Sequence, residues 1–251
     1  MVNRIILYQL LCVAGLVLAW DLASNFLIDP DFLSPPLAAL RQSVLLLGQA
    51  PIRAALLLLL GELALAFVIS LVIGLALGLL LGLSRVSHQA LMPVILLLYA
   101  TPQIAILPVI ILVSGIGPAS KIVFGVTHGV FPVIVTVAAA TRNLKPILLV
   151  SARSMGAGRW MRFRHVILPH IVPGFFTGMR LAMTAVLLGV LLAELYASSN
   201  GIGHFTRQFT EGFKPAQLLG LIVLVAGIAI ILNMLLRGVE HRVSRWRRLA
   251  P

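Results

Sequence analysis

Three groups of residues in this sequence have types and spacings that could do chemistry. The first is a basic, glycine-marked polar island, Val150-Ser151-Ala152-Arg153-Ser154-Met155-Gly156-Ala157-Gly158-Arg159-Trp160, followed by Val166-Ile167-Leu168-Pro169. Its chemistry is that of contact, because arginines interleaved with exposed-type aromatics suit a lipid headgroup layer or a soluble partner. The second is a pair of charges, Arg180 and Glu194, inside a long apolar run. They lie fourteen residues apart, which places them near one helical face but about 21 Å from each other, so they cannot pair within one helix. An ionised side chain at mid-membrane costs about 2.5 to 3.5 kcal/mol on insertion scales, so each must face protein, water or the interface. The third is a set of uncommitted polar groups in apolar surroundings: Thr101 and Gln103 around Pro102, and Thr127 with His128.

Each group has two readings. Arg180 either lines an anion path or bonds helix-end carbonyls; Glu194 either helps an outer gate or pairs with a base on another helix. Gln103, Thr101, Thr127 and His128 either line a translocation path or make interhelical hydrogen bonds. Glu62 is left unassigned. No histidine pair has helical metal-ligand spacing, no serine, histidine and acid grouping stands out, and no phosphate-binding Gly-x-x-x-x-Gly-Lys-Ser/Thr loop is present. The chain is therefore expected to bind no metal or cofactor of its own and not to be an enzyme.

The elements that position these residues are set by hydropathy. Of 251 residues, 60% are hydrophobic and 10% charged, and the mean hydropathy is +1.08, far outside the globular range. Six helical spans are expected, near residues 5–20, 54–83, 90–113, 119–140, 171–197 and 216–236, each long enough for a hydrocarbon core of about 30 Å. The alternating ten-residue segments of a membrane barrel are absent. The first run follows Arg4 in the manner of a signal peptide, yet Leu18-Ala19-Trp20 is too bulky for cleavage, so a retained helix is expected.

The net charge of +12 follows topology rather than nucleic acid. With both termini inside, the cytoplasmic side holds Arg4, Arg85, Arg142, Lys145, Arg153, Arg159, Arg162, Arg164, Arg237, Arg242, Arg245, Arg247 and Arg248. The outer side keeps Arg41, Arg53, Lys121, Arg207 and Lys214. Asp21, Asp29 and Asp31 fall in an outer loop that also carries Pro35-Pro36, with a short interfacial helix expected over 36–46. Cys12 is single and lies within an apolar run, so no disulfide framework is expected. No repeat or low-complexity tract divides the chain, and one membrane domain over 1–251, with its core at 54–236, is expected. Gly74, Gly78 and Gly82 share a face of the second span and predict close helix contact.

The polar island spans about 141–170, too polar to cross and too short for a catalytic domain. Pro146 suits a first helical turn, 147–155 reads as a helix, and Gly156 and Gly158 can end it in a left-handed turn. An interfacial helix through Trp160, Met161, Phe163 and Ile167 follows, before Pro169 redirects the chain.

In this island the chain resembles the permease subunits of bacterial ABC importers, whose cytoplasmic loop carries Glu-Ala-Ala, three residues, Gly, nine residues, Ile, one residue, Leu-Pro. Ala152, Gly156, Val166, Leu168 and Pro169 fall in register; Val150 stands where glutamate is usual and Ser151 where alanine is. Further similar segments are Leu33-Ser34-Pro35-Pro36, Leu81-Gly82-Leu83-Ser84-Arg85, Ser114 to Ile122, Phe131-Pro132, Gly178-Met179-Arg180-Leu181-Ala182, Ala193-Glu194 and Asn200-Gly201-Ile202-Gly203. The branch resembled transports nitrate, sulfonate, taurine or bicarbonate; thiamine-precursor and aromatic-acid importers share much of the pattern.

The resemblance implies an all-α type I ABC importer permease fold with a cytoplasmic coupling helix. It further implies a bacterial inner-membrane location, a homodimer, two copies of an ATPase subunit carrying ATP and Mg, and an extracytoplasmic solute-binding protein. Lipid is a partner and nucleic acid is not. A small organic or inorganic anion is the expected cargo. The competing expectation is a self-sufficient secondary transporter or channel.

Overall fold

In the computed structural model the described residues, 2–29 and 32–243, are helical throughout their regular elements and contain no strand. Asp31, Arg245, Arg247 and Arg248 lie outside the described residues, as does the side chain of Arg4. The helices are α1 (Val2–Leu22), α2 (Pro36–Gly48), α3 (Ala50–Leu83), α4 (Arg85–Ala100), α5 (Leu107–Ser114), α6 (Pro118–Arg142), α7 (Pro146–Ser154), α8 (Arg159–Arg162), α9 (Leu168–Ala197), α10 (Ile202–Glu211) and α11 (Pro215–Val243). Five helical runs are long and apolar enough to span a membrane, and α4 with the segment 103–114 makes a sixth that is bent by 87°. The chain forms two compact units, one of residues 1–58 and 199–228, the other of 59–198 and 229–251.

The first unit holds the first span, the short helices α2 and α10, and the N-terminal ends of α3 and α11. The first span continues past Trp20 to Leu27, so Asp21 lies in the last turn of α1 rather than in a loop. Its carbonyl accepts from Ser24 Oγ at 2.9 Å and Asn25 Nδ2 at 2.8 Å. Pro36 opens α2 with the fixed φ that a first turn needs. Trp20 Nε1 donates to the Ser34 carbonyl at 3.1 Å and fastens the intervening loop. Gly220 presses on α2, where an added Cβ would meet Gln42 Cβ at 2.7 Å.

The second unit is a tightly packed helix stack, and its contacts fix the order of crossings. A Cβ at Gly74, Gly78 or Gly82 would lie 2.5, 2.7 or 2.4 Å from the Cβ of Val133, Val137 or Thr141, respectively. Both rows advance by four residues in the same sense, so α3 and α6 run parallel with backbones in near contact. Between them the chain must cross the bilayer once, which assigns that crossing to the broken α4–α5 pair.

The break has a clear cause. Pro102 lacks a donor, Thr101 turns its hydroxyl back to the Leu97 carbonyl at 2.9 Å, and a 3₁₀ turn at Gln103–Ile106 leads to Pro108 at the head of α5. Hydropathy leads to one span over 90–113; the two prolines bend it. Next, α9 runs antiparallel to α6. Gly125 and Gly129 of α6 abut Val190 and Val186 of α9, while Gly178 and Gly174 of α9 abut Thr136 and Ala140 of α6.

Candidate functional site

The polar island forms a short, rigid protrusion. Pro146 starts α7 and Gly156 ends it at φ +80°, a conformation that a Cβ disfavours. The Ala157 amide donates to the Ala152 carbonyl at 3.0 Å and the Gly156 amide to Arg153 at 2.9 Å. This is a Schellman closure, and it satisfies carbonyls that a free helix end would leave to water.

Around that closure only Ala152 is buried; Val150, Ser151, Arg153, Ser154, Met155, Gly156, Gly158, Arg159 and Trp160 are exposed and Ala157 is half-buried. Met155 and Trp160 are 81% and 69% exposed, a large apolar area with arginines on either side. Gly158 does not share in the left-handed turn: at φ −65° it is the extended residue before α8, and the Arg162 amide returns to its carbonyl at 3.0 Å.

Behind the protrusion the chain does not turn where Pro169 predicts. Helix continues from Arg159 to Tyr196, 38 residues, through a wide π turn at Phe163–Ile167. Pro169 sits in the first turn of α9, where its missing donor is harmless after the looser π hydrogen-bond register. Trp160 stacks on Phe163 with centroids 5.7 Å apart, tying the protrusion to that helix.

At the other end of the same unit, three charges from three spans meet. Lys121 Nζ lies 2.9 Å from Glu62 Oε1 and 3.5 Å from Glu194 Oε1, with side chains 2%, 3% and 0% exposed. Lys121, expected among outer loop charges, is therefore a buried base in the first turns of α6. Glu194 has its base on another helix, one of the two arrangements its position allowed. Glu62, left unassigned by sequence, is the third member. The available signal was one lysine and two glutamates, each within a dozen residues of the same expected end of its span.

Arg180 pairs with Glu240 of α11 and lies within 3.4 Å of Thr177 Oγ1, so the carboxylate and not a helix-end carbonyl is its partner. Glu240, beyond the expected end of the last span, escaped sequence reasoning. Thr127 Oγ1 donates to the Phe124 carbonyl at 2.7 Å, and His128 Nδ1 lies 3.0 Å from the same carbonyl. His128 also packs edge-on against the Phe124 ring. Thr101 is exposed, with its hydroxyl on its own helix. Gln103 differs: its Oε1 is buried at the span's break with no hydrogen-bond partner among the described residues. These groups belong to three stretches of the chain: the break after α4, α6 and α9.

Residues 70–248 match the family model for the binding-protein-dependent transport system inner membrane component. The chain belongs to that family. It is the transmembrane permease subunit of an ABC importer, an inner-membrane multi-pass protein that works with an ATPase and a binding protein. Among relatives, the taurine transport system permease protein TauC of Escherichia coli K12 is 29% identical over 90% of this chain and 84% of its own length. The nitrate import permease protein NrtB of Leptolyngbya laminosa is 29% identical over 62% of this permease and 56% of its own length. The fold matches that of the MetNI methionine ABC transporter in an inward-facing form, with TM-score 0.65 at 20% identity, covering 78% of this chain and 95% of the other.

Proposed function

We propose that this permease moves a small organic or inorganic anion inward as a homodimer on two copies of an ATPase that holds ATP and Mg, and that residues Val150 to Trp160 receive the ATPase's motion. The observation that carries this reading is the exposed α7 protrusion, closed at Gly156 and followed directly after Gly158 by the helix that reaches the buried charges. N- and C-termini face the cytoplasm, as the lysine and arginine distribution requires. The cargo class rests on the relatives' names, taurine and nitrate among them.

The mechanics follow from the packing. A push on Arg159 or Trp160 acts on a helical rod of 38 residues, roughly 55 Å long at 1.5 Å per residue. Along α6 the rod is seated glycine to side chain, so axial motion of α9 is resisted by steric contact and transmitted as rocking. At its far end Glu194 is bound to Lys121 of α6, which also holds Glu62 of α3. Closure of the two ATPases thereby reaches three spans as one body, and alternating access follows from tilting that body. Gln103 Oε1, uncommitted at the break of the third span, is the polar group best placed to meet cargo; Thr101, Thr127, His128 and Arg180 are the remaining candidates for the path.

The test is a Gly156→Pro variant. Proline cannot adopt φ +80° and removes the amide that closes α7. In proteoliposomes with the ATPase and the binding protein, binding-protein-stimulated ATP hydrolysis and uptake should both fall more than about tenfold while the complex still assembles, since a tenfold loss needs only about 1.4 kcal/mol. Full coupling in that variant overturns the assignment.

A further inference from the structure

Two short helices of this chain, α7 and α10, end in the same way but with different residues. In α10 the Lys214 amide donates to the Phe209 carbonyl at 2.9 Å and the Phe213 amide to Thr210 at 3.2 Å, the same Schellman closure that ends α7. The residue at the left-handed position of α7 is Gly156; in α10 it is Phe213, at φ +50°. Among the described residues it is the non-glycine residue with positive φ, and for a bulky side chain that conformation is a genuine outlier. No burial compensates for the strain, because Phe213 is 79% exposed.

The surroundings narrow what the ring is for. Its neighbours in sequence, Gln208, Thr210, Glu211, Gly212 and Lys214, are all exposed, so the aromatic stands in a polar, solvent-facing stretch of chain. Phe213 also precedes Pro215, the first residue of the last span, by two positions, which sets it just above the membrane edge. A lone rigid aromatic within a polar, hydrated border is the composition of a protein-interface anchor, whereas a lipid-buried surface would be apolar around it.

We infer that Phe213 is the anchor by which the permease docks its extracytoplasmic binding protein, the helix closure holding the ring out before the partner arrives. This rests on the topology proposed above, in which the segment between α9 and α11 faces outward. A partner pocket that takes the ring gains its contact without ordering a flexible side chain and loop.

The experiment measures affinity of the purified binding protein of the same transport system for the permease–ATPase complex in nanodiscs. Phe213→Asn keeps a residue that tolerates the left-handed conformation but removes the ring; Phe213→Tyr keeps the ring. Asn should weaken binding by at least about tenfold, the loss typical of an interface anchor, with a thermal midpoint no lower than the parent's, and Tyr should bind within about threefold of it. Equal affinity of the Asn variant and the parent overturns the proposal, as does a change confined to thermal behaviour in lipid. Glu211→Cys in a Cys12→Ser background, labelled with an impermeant maleimide in right-side-out vesicles, reports the topology separately. Labelling together with unchanged affinity of the Asn variant defeats the anchor alone, whereas protection from the label defeats the topology beneath it.

Discussion

Replacing Lys121 with methionine should be among the most damaging single changes in this permease, and for reasons of charge rather than shape. The ammonium lies 2.9 Å from Glu62 and 3.5 Å from Glu194 with 2% of its side chain exposed. At an effective dielectric constant of about 20, the two attractions amount to roughly 6 and 5 kcal/mol, most of which offsets the cost of removing three charges from water. Methionine fills similar volume, so packing survives, but two carboxylates are left facing each other without that ammonium. Removing one member of a buried ionic group costs about 3–5 kcal/mol.

The readout is the thermal midpoint of the detergent-solubilised chain, followed by size-exclusion chromatography. It should fall by on the order of 10 °C, taking about 2–4 °C per kcal/mol for a chain of this size. The triple variant Glu62→Gln, Lys121→Met, Glu194→Gln should recover most of the loss, because neutral amides no longer repel. A single variant as stable as the parent, or a triple variant no better than the single, refutes the account of the three groups as one electrostatic unit.

Further predictions concern the packing seams, the closure and the path. Gly129→Ala places a Cβ 2.3 Å from Val186 Cγ2 and 2.7 Å from Ser70 Oγ, so it should cost about 1–3 kcal/mol as an overpacked contact, and Val186→Ala should restore the same midpoint assay. Gly156→Ala meets no atom within 4 Å and is charged only for its φ, about 1–2 kcal/mol. It should lower the thermal midpoint by only a few degrees, at about 2–4 °C per kcal/mol, while reducing coupled uptake less than the proline variant does. The pair Arg180 and Glu240 is only partly buried, at 29% and 24% exposure, and should contribute no more than about 1 kcal/mol. Exchanging the two charges should keep the midpoint within a few degrees; a large rise in the KM for uptake then assigns Arg180 to the anion path, and an unchanged KM removes it. Gln103→Leu should preserve the midpoint and lower uptake, and unaltered uptake removes Gln103 from the path.

Sequence and structure agree where a local rule acts alone. Hydropathy and turn chemistry placed α2 from Pro36, α7 from Pro146 and the left-handed Gly156, because each depends on a few neighbouring residues. The every-fourth-residue glycines of α3 signalled a close neighbour, though not which helix supplied it. Disagreement begins where two local signals compete. Pro169 reads as a breaker until the π turn before it is seen to absorb the missing donor, and the apolar run 90–113 reads as one span whose hydropathy does not show the 87° bend at Pro102 and Pro108.

The charged residues were the least legible part for a different reason. Lys121 reads as a loop charge on its own element, and its identity as a buried base exists only in the company of Glu62 and Glu194 from 59 residues upstream and 73 downstream. A counterion relation is a property of three helices at a shared depth, and no window along one helix contains it. Hydropathy nonetheless constrains it: the glutamates of α3 and α9, which lie inside apolar runs, must find opposite charge or water, since bare ions there are too costly, and Lys121 stands at the head of the next apolar helix. With α3 parallel to α6 and α6 antiparallel to α9, the three fall at one level, so the seams of glycine that align the helices are also what bring the charges together. The packing and the electrostatics of this permease are in that sense one specification: a slip of α9 by a turn against α6 would unseat Gly174 and Gly178 and carry Glu194 about 5 Å from Lys121.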